Sequence, residues 1–177
     1  MIQIKDLSFK YGNKEVLNHI SMNLEAGKIY GLLGENGAGK TTLLKIIGGL
    51  QKPYCGECLV CNEIPFQRNP SFLSRIYYLP EETEYIQNDC SAFDYAKLNA
   101  PFYPKFDWEK FHTILKEFDL DGSKKLNKLS HGQTKKAAIS FAVATNVDLL
   151  LLDEPSNGLD IPSKTTFRRI MAEYCLD

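Results

Sequence analysis

Gly34-Glu35-Asn36-Gly37-Ala38-Gly39-Lys40-Thr41-Thr42 is the stretch that decides the fold. It fits the phosphate-binding P-loop pattern: Gly, any four residues, then Gly-Lys and Ser or Thr. Gly34, Gly37 and Gly39 are expected to let the backbone turn sharply and approach a ligand closely, because glycine lacks the Cβ that disfavours positive φ. Such a loop turns several N–H groups inward, and the helix behind it adds its positive end. Lys40 is placed to reach β- and γ-phosphates, and the Thr41 hydroxyl to hold Mg²⁺. The flanks agree. Ile29 to Leu33 is a short apolar run that reads as a buried strand, and Thr42 to Leu50 opens with helix formers.

Around this loop the bulk properties set limits. A chain of 177 residues defaults to one domain with ample length for a core. A net charge of −1 gives no global field to recruit nucleic acid or an anionic membrane. No apolar stretch nears the roughly 20 residues that span a bilayer, and no signal peptide is visible. Five cysteines, an odd count without an export signal, point to reduced thiols in the cytoplasm. Cys55, Cys58 and Cys61 have a spacing that also suits iron–sulfur or zinc ligands. Gly56-Glu57 among them reads as a turn between strands, and no fourth ligand lies at a suitable local spacing. They are therefore expected to be small buried or half-buried side chains.

Before the loop, Ile2, Ile4, Leu7 and Phe9 alternate in part, and Ile20, Met22 and Leu24 alternate again. An antiparallel β layer is expected there. After it, Lys52-Pro53 ends the helical run, and Ile76 to Leu79 forms a strand halted by Pro80. An acidic, aromatic, helix-prone region then runs from Glu81 to about Phe118, broken at Pro101 and Pro104. Phe111, Leu115 and Phe118 fall at helical spacing and read as core. Lysines 124, 125, 128, 135 and 136 read as a solvated basic face, because charge runs usually are. The four leucines before Asp153 make a fully buried parallel strand by pattern. Ser163 to Tyr174 is a last helix.

An apolar strand ending in Asp153-Glu154-Pro155 is the Walker-B arrangement, with Asp153 supporting Mg²⁺ and Glu154 orienting and deprotonating the attacking water. With Leu129-Ser130-His131-Gly132-Gln133 upstream of it, the chain resembles the nucleotide-binding subunit of ABC transporters over essentially its whole length. The resemblance implies an α/β fold: a P-loop NTPase core with a parallel sheet, an antiparallel β subdomain and an inserted α-helical subdomain. The core would occupy about 1–82 and 145–177, and the helical part about 83–144. It implies ATP and Mg²⁺ as cofactors. Tyr11 would stack on adenine. Gly34, Glu35, Asn36, Gly37, Ala38, Gly39, Lys40, Thr41 and Thr42 would cradle the phosphates. Glu81 takes the Q-loop position and Asp160 the acidic place of the D-loop. Ser130, Gly132 and Gln133 would contact the γ-phosphate on a partner subunit. Catalysis would rest on Glu154 and Lys40, and the metal on Thr41, Glu81 and Asp153.

Three departures from the family pattern stand out. Glu81 replaces glutamine, although a carboxylate can still meet Mg²⁺ or water. His131 replaces the first glycine of the signature pair and reads as a tolerated substitution. No switch histidine follows the D-loop, since His19, His112 and His131 lie elsewhere. The chain is therefore expected to be a C-terminally truncated domain that binds ATP and hydrolyses it poorly.

The resemblance implies a cytoplasmic subunit on the inner face of the membrane, with two partners. One is a second ATPase subunit, identical or not, in an ATP-dependent pair. The other is a separate integral-membrane permease, met by the helical region and hinged after Pro80. The rival reading is a soluble ABC ATPase acting on nucleic acid or ribosomes. Ninety residues separate Lys40 from Ser130, which leaves no room for the long coiled coils of DNA-repair members. Translation-factor members join two such domains through a basic linker, and direct nucleic-acid contact is not expected here. A GTPase would need Asn-Lys-x-Asp, which is absent.

Overall fold

The computed structural model describes residues 1–83, 86 and 89–175, which form two compact units, Met1–Leu73 and Ser74–Asp177. In the first unit, β1 (Ile2–Tyr11) is the centre of an antiparallel sheet, between β2 (Lys14–Leu24) and β3 (Cys55–Val60). Its apolar spacing slips from alternation between Ile4 and Leu7, and the cause is a bulge. Asp6 has φ 51°, and His19 across from it has φ 49°. Ser21 Oγ accepts from Asp6 N, and Ser8 Oγ accepts from His19 N, so the bulge leaves neither donor unpaired. The slip keeps Ile2, Ile4, Leu7 and Phe9 all buried.

Two local expectations are corrected here. Gly56-Glu57 is not a turn between strands; both residues lie inside β3, paired with β1. Gly56 is needed because its φ is 84° and a Cβ there would lie 2.3 Å from the Asp6 carbonyl oxygen. The helix after the P-loop, α1 (Lys40–Ile47), ends at Gly48 rather than at Lys52-Pro53. Gly49 at φ 70° turns the chain out before the proline is reached. The short helix α2 (Pro70–Leu73) closes this unit and buries Phe72.

The buried strand expected at Ile29–Leu33 is absent. Among the described residues this segment joins no ladder, and Leu33 is 93% exposed. An apolar run becomes a buried strand only when a neighbour pairs with it. Among the described residues, the parallel ladder is made by two other strands, β4 (Ile76–Leu79) and β5 (Leu149–Leu152).

The second unit is built on those strands, paired in register from Ile76 with Leu149 to Leu79 with Leu152. The connection between them carries α3 (Ala92–Asn99), α4 (Trp108–Glu117) and α5 (His131–Ala144). The helix α6 (Ile161–Tyr174) follows β5. Ser91 and Asp107 cap α3 and α4, each accepting a backbone N–H in the first turn. Phe111, Leu115 and Phe118 are core, as their spacing predicts, and pack with Phe141 and the apolar face of α5. β5 is not fully buried: Leu151 is, while Leu149, Leu150 and Leu152 are half-buried. A two-stranded ladder covers less of each strand than a wide sheet does. Glu84, predicted to lie in the helix-prone stretch, falls outside the described residues.

Asp148, just before β5, accepts from Lys105 Nζ and from Arg75 Nε, each at 2.7 Å. Those two hydrogen bonds hold its carboxyl below the usual range. A depressed folded pKa stabilises above the unfolded value of about 3.9 and is lost as pH falls through the folded one. Asp148→Asn is therefore expected to lose stability at neutral pH and to show a flatter decline on acidification. Denaturant titrations from about pH 6 to pH 2 read this directly.

Candidate functional site

The phosphate loop lies in the first unit. Asn36 and Gly37 turn, and α1 starts at Lys40. The first N–H groups of any helix have no partner within it. In α1 the first turn holds no acidic residue, so no carboxylate of the helix offsets those donors or the helix dipole. Lys40 folds back over the loop, donating to the carbonyls of Gly34 at 2.8 Å and Glu35 at 3.0 Å. Thr41 is half-buried and Thr42 buried. This donor-rich, cationic turn suits a polyphosphate, and a threonine hydroxyl suits a hard cation such as Mg²⁺. Tyr11 ends β1, is 47% exposed, and lies edge-on to Phe9 with ring centroids 4.8 Å apart.

Gly37 and Gly39 sit at φ 83° and 92°, but Gly34 lies outside the left-handed region. The expectation that all three turn the loop is thus corrected at Gly34, where a Cβ would meet Ala38 Cβ at an ordinary 3.5 Å. At Gly39 a Cβ would lie 2.7 Å from Leu17 Cδ2 and 3.0 Å from the Val16 carbonyl oxygen.

A carboxylate cluster lies in the second unit. Parallel pairing brings the ends of β4 and β5 level, and Asp153 N extends the ladder by donating to Leu79 O at 2.9 Å. Asp153 is buried, and Tyr78 OH donates to its Oδ2 at 3.1 Å. Glu154, half-buried, takes φ 44°, a conformation that costs about 1–3 kcal/mol in a non-glycine residue. Glu81 follows β4 and accepts from Asn157 Nδ2 at 2.8 Å. Asp160 caps α6 by accepting from Ser163 N at 2.8 Å, and the Ser163 side chain and backbone hold its carboxyl below the usual range.

Ser130 and Gln133 form a reciprocal capping box at the start of α5. Ser130 Oγ accepts from Gln133 N at 3.2 Å, and Gln133 Oε1 accepts from Ser130 N at 3.0 Å. Gly132 is half-buried, and a Cβ there would lie 2.9 Å from the Gly158 carbonyl oxygen.

The basic face expected at lysines 124 to 136 is corrected at Lys135, which is 0% exposed. It sits on the buried side of α5, and its Nζ donates to the carbonyl of Glu81 and reaches that of Pro80 at 3.4 Å. Burial pushes its ammonium pKa down, while Glu81, Asp153 and Glu154 push it up. Sequence reasoning missed this residue. The available signal was its position three residues from Ala138, on the apolar side of a helix that is buried nearly all round.

Among the described residues, no group of three or more His, Cys, Asp or Glu is arranged to hold a metal, and Cys55, Cys58 and Cys61 are free thiols; Cys58 is buried and Cys61 half-buried, but Cys55 is exposed, which corrects the expectation there. Burial raises the Cys58 thiol to about 11.

A parallel ladder with crossover helices, an antiparallel layer and a P-loop together define an α/β P-loop NTPase cassette. The ABC transporter family profile matches residues 17–157, and the chain belongs to that family. The ABC transporter ATP-binding protein YtrB of Bacillus subtilis is 29% identical over 98% of this chain and 59% of its own length. The chain thus spans about three fifths of that relative. The SkfA peptide export ATP-binding protein SkfE, also of Bacillus subtilis, is 32% identical over 93% of this chain and 70% of its own. A solved structure of a putative ABC transporter ATP-binding protein from Pyrococcus furiosus superposes with a TM-score of 0.83, at 32% identity. That match covers 98% of this chain and 85% of that one.

Gly39→Ala is expected to lower the free energy of unfolding by about 1–3 kcal/mol, from positive φ and the clash with β2. Gly34→Ala should leave it within about 0.5 kcal/mol of wild type. Guanidinium titration of both variants checks the contrast.

Proposed function

We propose that the chain is the ATP-binding and ATP-hydrolysing part of a transporter, powering passage of a substrate through a separate permease. The family match from residue 17 to 157 carries this reading, because it spans both the phosphate loop and the acidic end of β5. In this reading Lys40, the loop backbone and Thr41 take the phosphates, and Tyr11 takes the base. Thr41, Glu81 and Asp153 offer the oxygens for Mg²⁺, whose charge would neutralise the phosphates. Glu154 orients and deprotonates the attacking water. Its constrained backbone and its position directly after buried Asp153 support that role.

Ser130, Gly132, Gln133 and Asp160 are proposed to complete the site of a second subunit. Both the α5 terminus and its cap are exposed, which supports an anion there. The partner permease follows from the transporter family and from the relative named for peptide export. Among the described residues no helix is long and apolar enough to cross a membrane. The transporter family supports reading the permease as a separate chain and placing this one on the cytoplasmic face. The rival role on nucleic acid loses support from the burial of Lys135, one of the five lysines of its basic patch.

Lys40→Ala is expected to abolish ATP binding in calorimetry. Glu154→Gln should bind ATP and elute as a pair in size-exclusion chromatography with MgATP, and Glu154→Gln with Ser130→Arg should not. Wild-type chain that binds no ATP would overturn the nucleotide reading. A Glu154→Gln chain that stays single would overturn the self-pairing through Ser130.

A further inference from the structure

Among the described residues Lys135 is the one lysine with a fully buried side chain, and none of the roles above uses it. A buried ammonium persists only when its donors and charge are both met. Its donors go to main-chain carbonyls, Glu81 O and Pro80 O, not to a carboxylate. Burial disfavours its charge, and three carboxylates, Glu81, Asp153 and Glu154, offset part of that cost. The side chain therefore leaves α5, crosses to the segment after β4, and ends among the groups assigned to hydrolysis.

Among the described residues no other hydrogen bond reaches the Pro80 and Glu81 carbonyls. The Pro80 ring removes one backbone donor. The Thr83 hydroxyl is buried with no hydrogen-bond partner among the described residues. Asn157 holds the Glu81 side chain but not its backbone. Lys135 fixes the backbone, so the position of the Glu81 carboxylate depends on both.

We infer that Lys135 is a positioning residue for hydrolysis: its buried ammonium ties the Pro80–Glu81 backbone to α5 and so sets Glu81 in the carboxylate cluster. The tie links the helix that opens with Ser130 to the segment that carries Glu81. The kinetic half of the inference rests on the hydrolytic reading above; the structural half does not.

The test compares Lys135→Met, which keeps the apolar stem and loses the ammonium, with Lys135→Arg, which keeps charge and donors. Lys124→Met, at an exposed lysine, is the control. Amide hydrogen exchange without nucleotide is followed in peptides covering Leu79–Thr83 and Ala137–Ala144. The methionine variant should exchange at least about tenfold faster in the first peptide and unchanged in the second, since local opening is read separately from global unfolding. Its kcat for ATP should fall at least about tenfold while KM stays within about twofold, because misplacement near the chemistry costs rate rather than phosphate-loop binding. Arginine should restore both. Exchange at Leu79–Thr83 matching wild type would overturn the inference, as would kinetics matching the Lys124→Met control. If the methionine variant fails to fold, Lys135→Gln, with an N–H donor and no charge, carries the same comparison. A wild-type chain that binds ATP without turnover would overturn the hydrolytic reading instead, and the exchange comparison would still decide the tie.

Discussion

The register of β4 against β5 is the constraint from which the second unit follows. Leu79 opposite Leu152, with Asp153 N bonded to Leu79 O, makes the two strands end together. Residues about seventy apart in sequence are thereby delivered to one place: Pro80 and Glu81 from one strand, Asp153 and Glu154 from the other. A parallel pair cannot be joined by a tight turn and needs a crossover of a dozen or more residues. Here the crossover holds α3, α4 and α5 with their aromatic core, so the helical region answers a need set by parallel pairing. A slip of one residue would turn Leu151 out of the core and Asp153 away from Tyr78.

Gathering three carboxylates creates an electrostatic problem that the same crossover answers. Like charges close together in a partly dry site repel strongly. α5 returns along the strands and brings Lys135 to them. Its neighbours Ala137, Ala138 and Ala142 are small, which lets the helix pack closely, and ten of its residues are buried. The capping box at Ser130 and Gln133 secures the exposed start of that helix, where the first N–H groups have no partner within it. Fold and cluster share one element, and a change in α5 is felt in both.

The readable parts of the sequence were those whose chemistry is local. The phosphate loop, the Asp153-Glu154 pair after an apolar run and the Phe111-Leu115-Phe118 stripe each declare themselves within a few residues. What was hidden depends on partners distant in sequence. Lys135 looks like one more member of a basic run until the carbonyls of Pro80 and Glu81, over fifty residues upstream, are brought beside it. Ile29–Leu33 has the composition of a buried strand, but composition does not supply a neighbouring ladder. Gly56 resembled a turn glycine. Its reason is instead steric, a close approach of β1 at Asp6. The Asp6 bulge was visible only as imperfect alternation, since a pattern shows that a slip exists but not which residue absorbs it.

His131 illustrates how a departure from a family pattern can be absorbed. Read alone, an imidazole in place of a glycine only adds bulk at the start of α5. In the fold, that ring faces Gly158, where a Cβ would lie 2.8 Å from His131 Cδ2 and 3.1 Å from Nε2. Gly158 has φ 79°, so the turn after β5 already favours a residue without a side chain. The space that glycine leaves is the space the histidine fills. Gly132 packs against the carbonyl of the same Gly158, so two successive residues of the α5 terminus touch one point of the segment after Glu154. Position 131 tolerates a ring because position 158 has none, and together they hold the start of α5 against the chain leaving the carboxylate cluster. With Lys135 on Glu81 one turn further along, α5 is fastened to the cluster from both sides: to the segment after β4 by an ammonium, and to the segment after β5 by van der Waals contact.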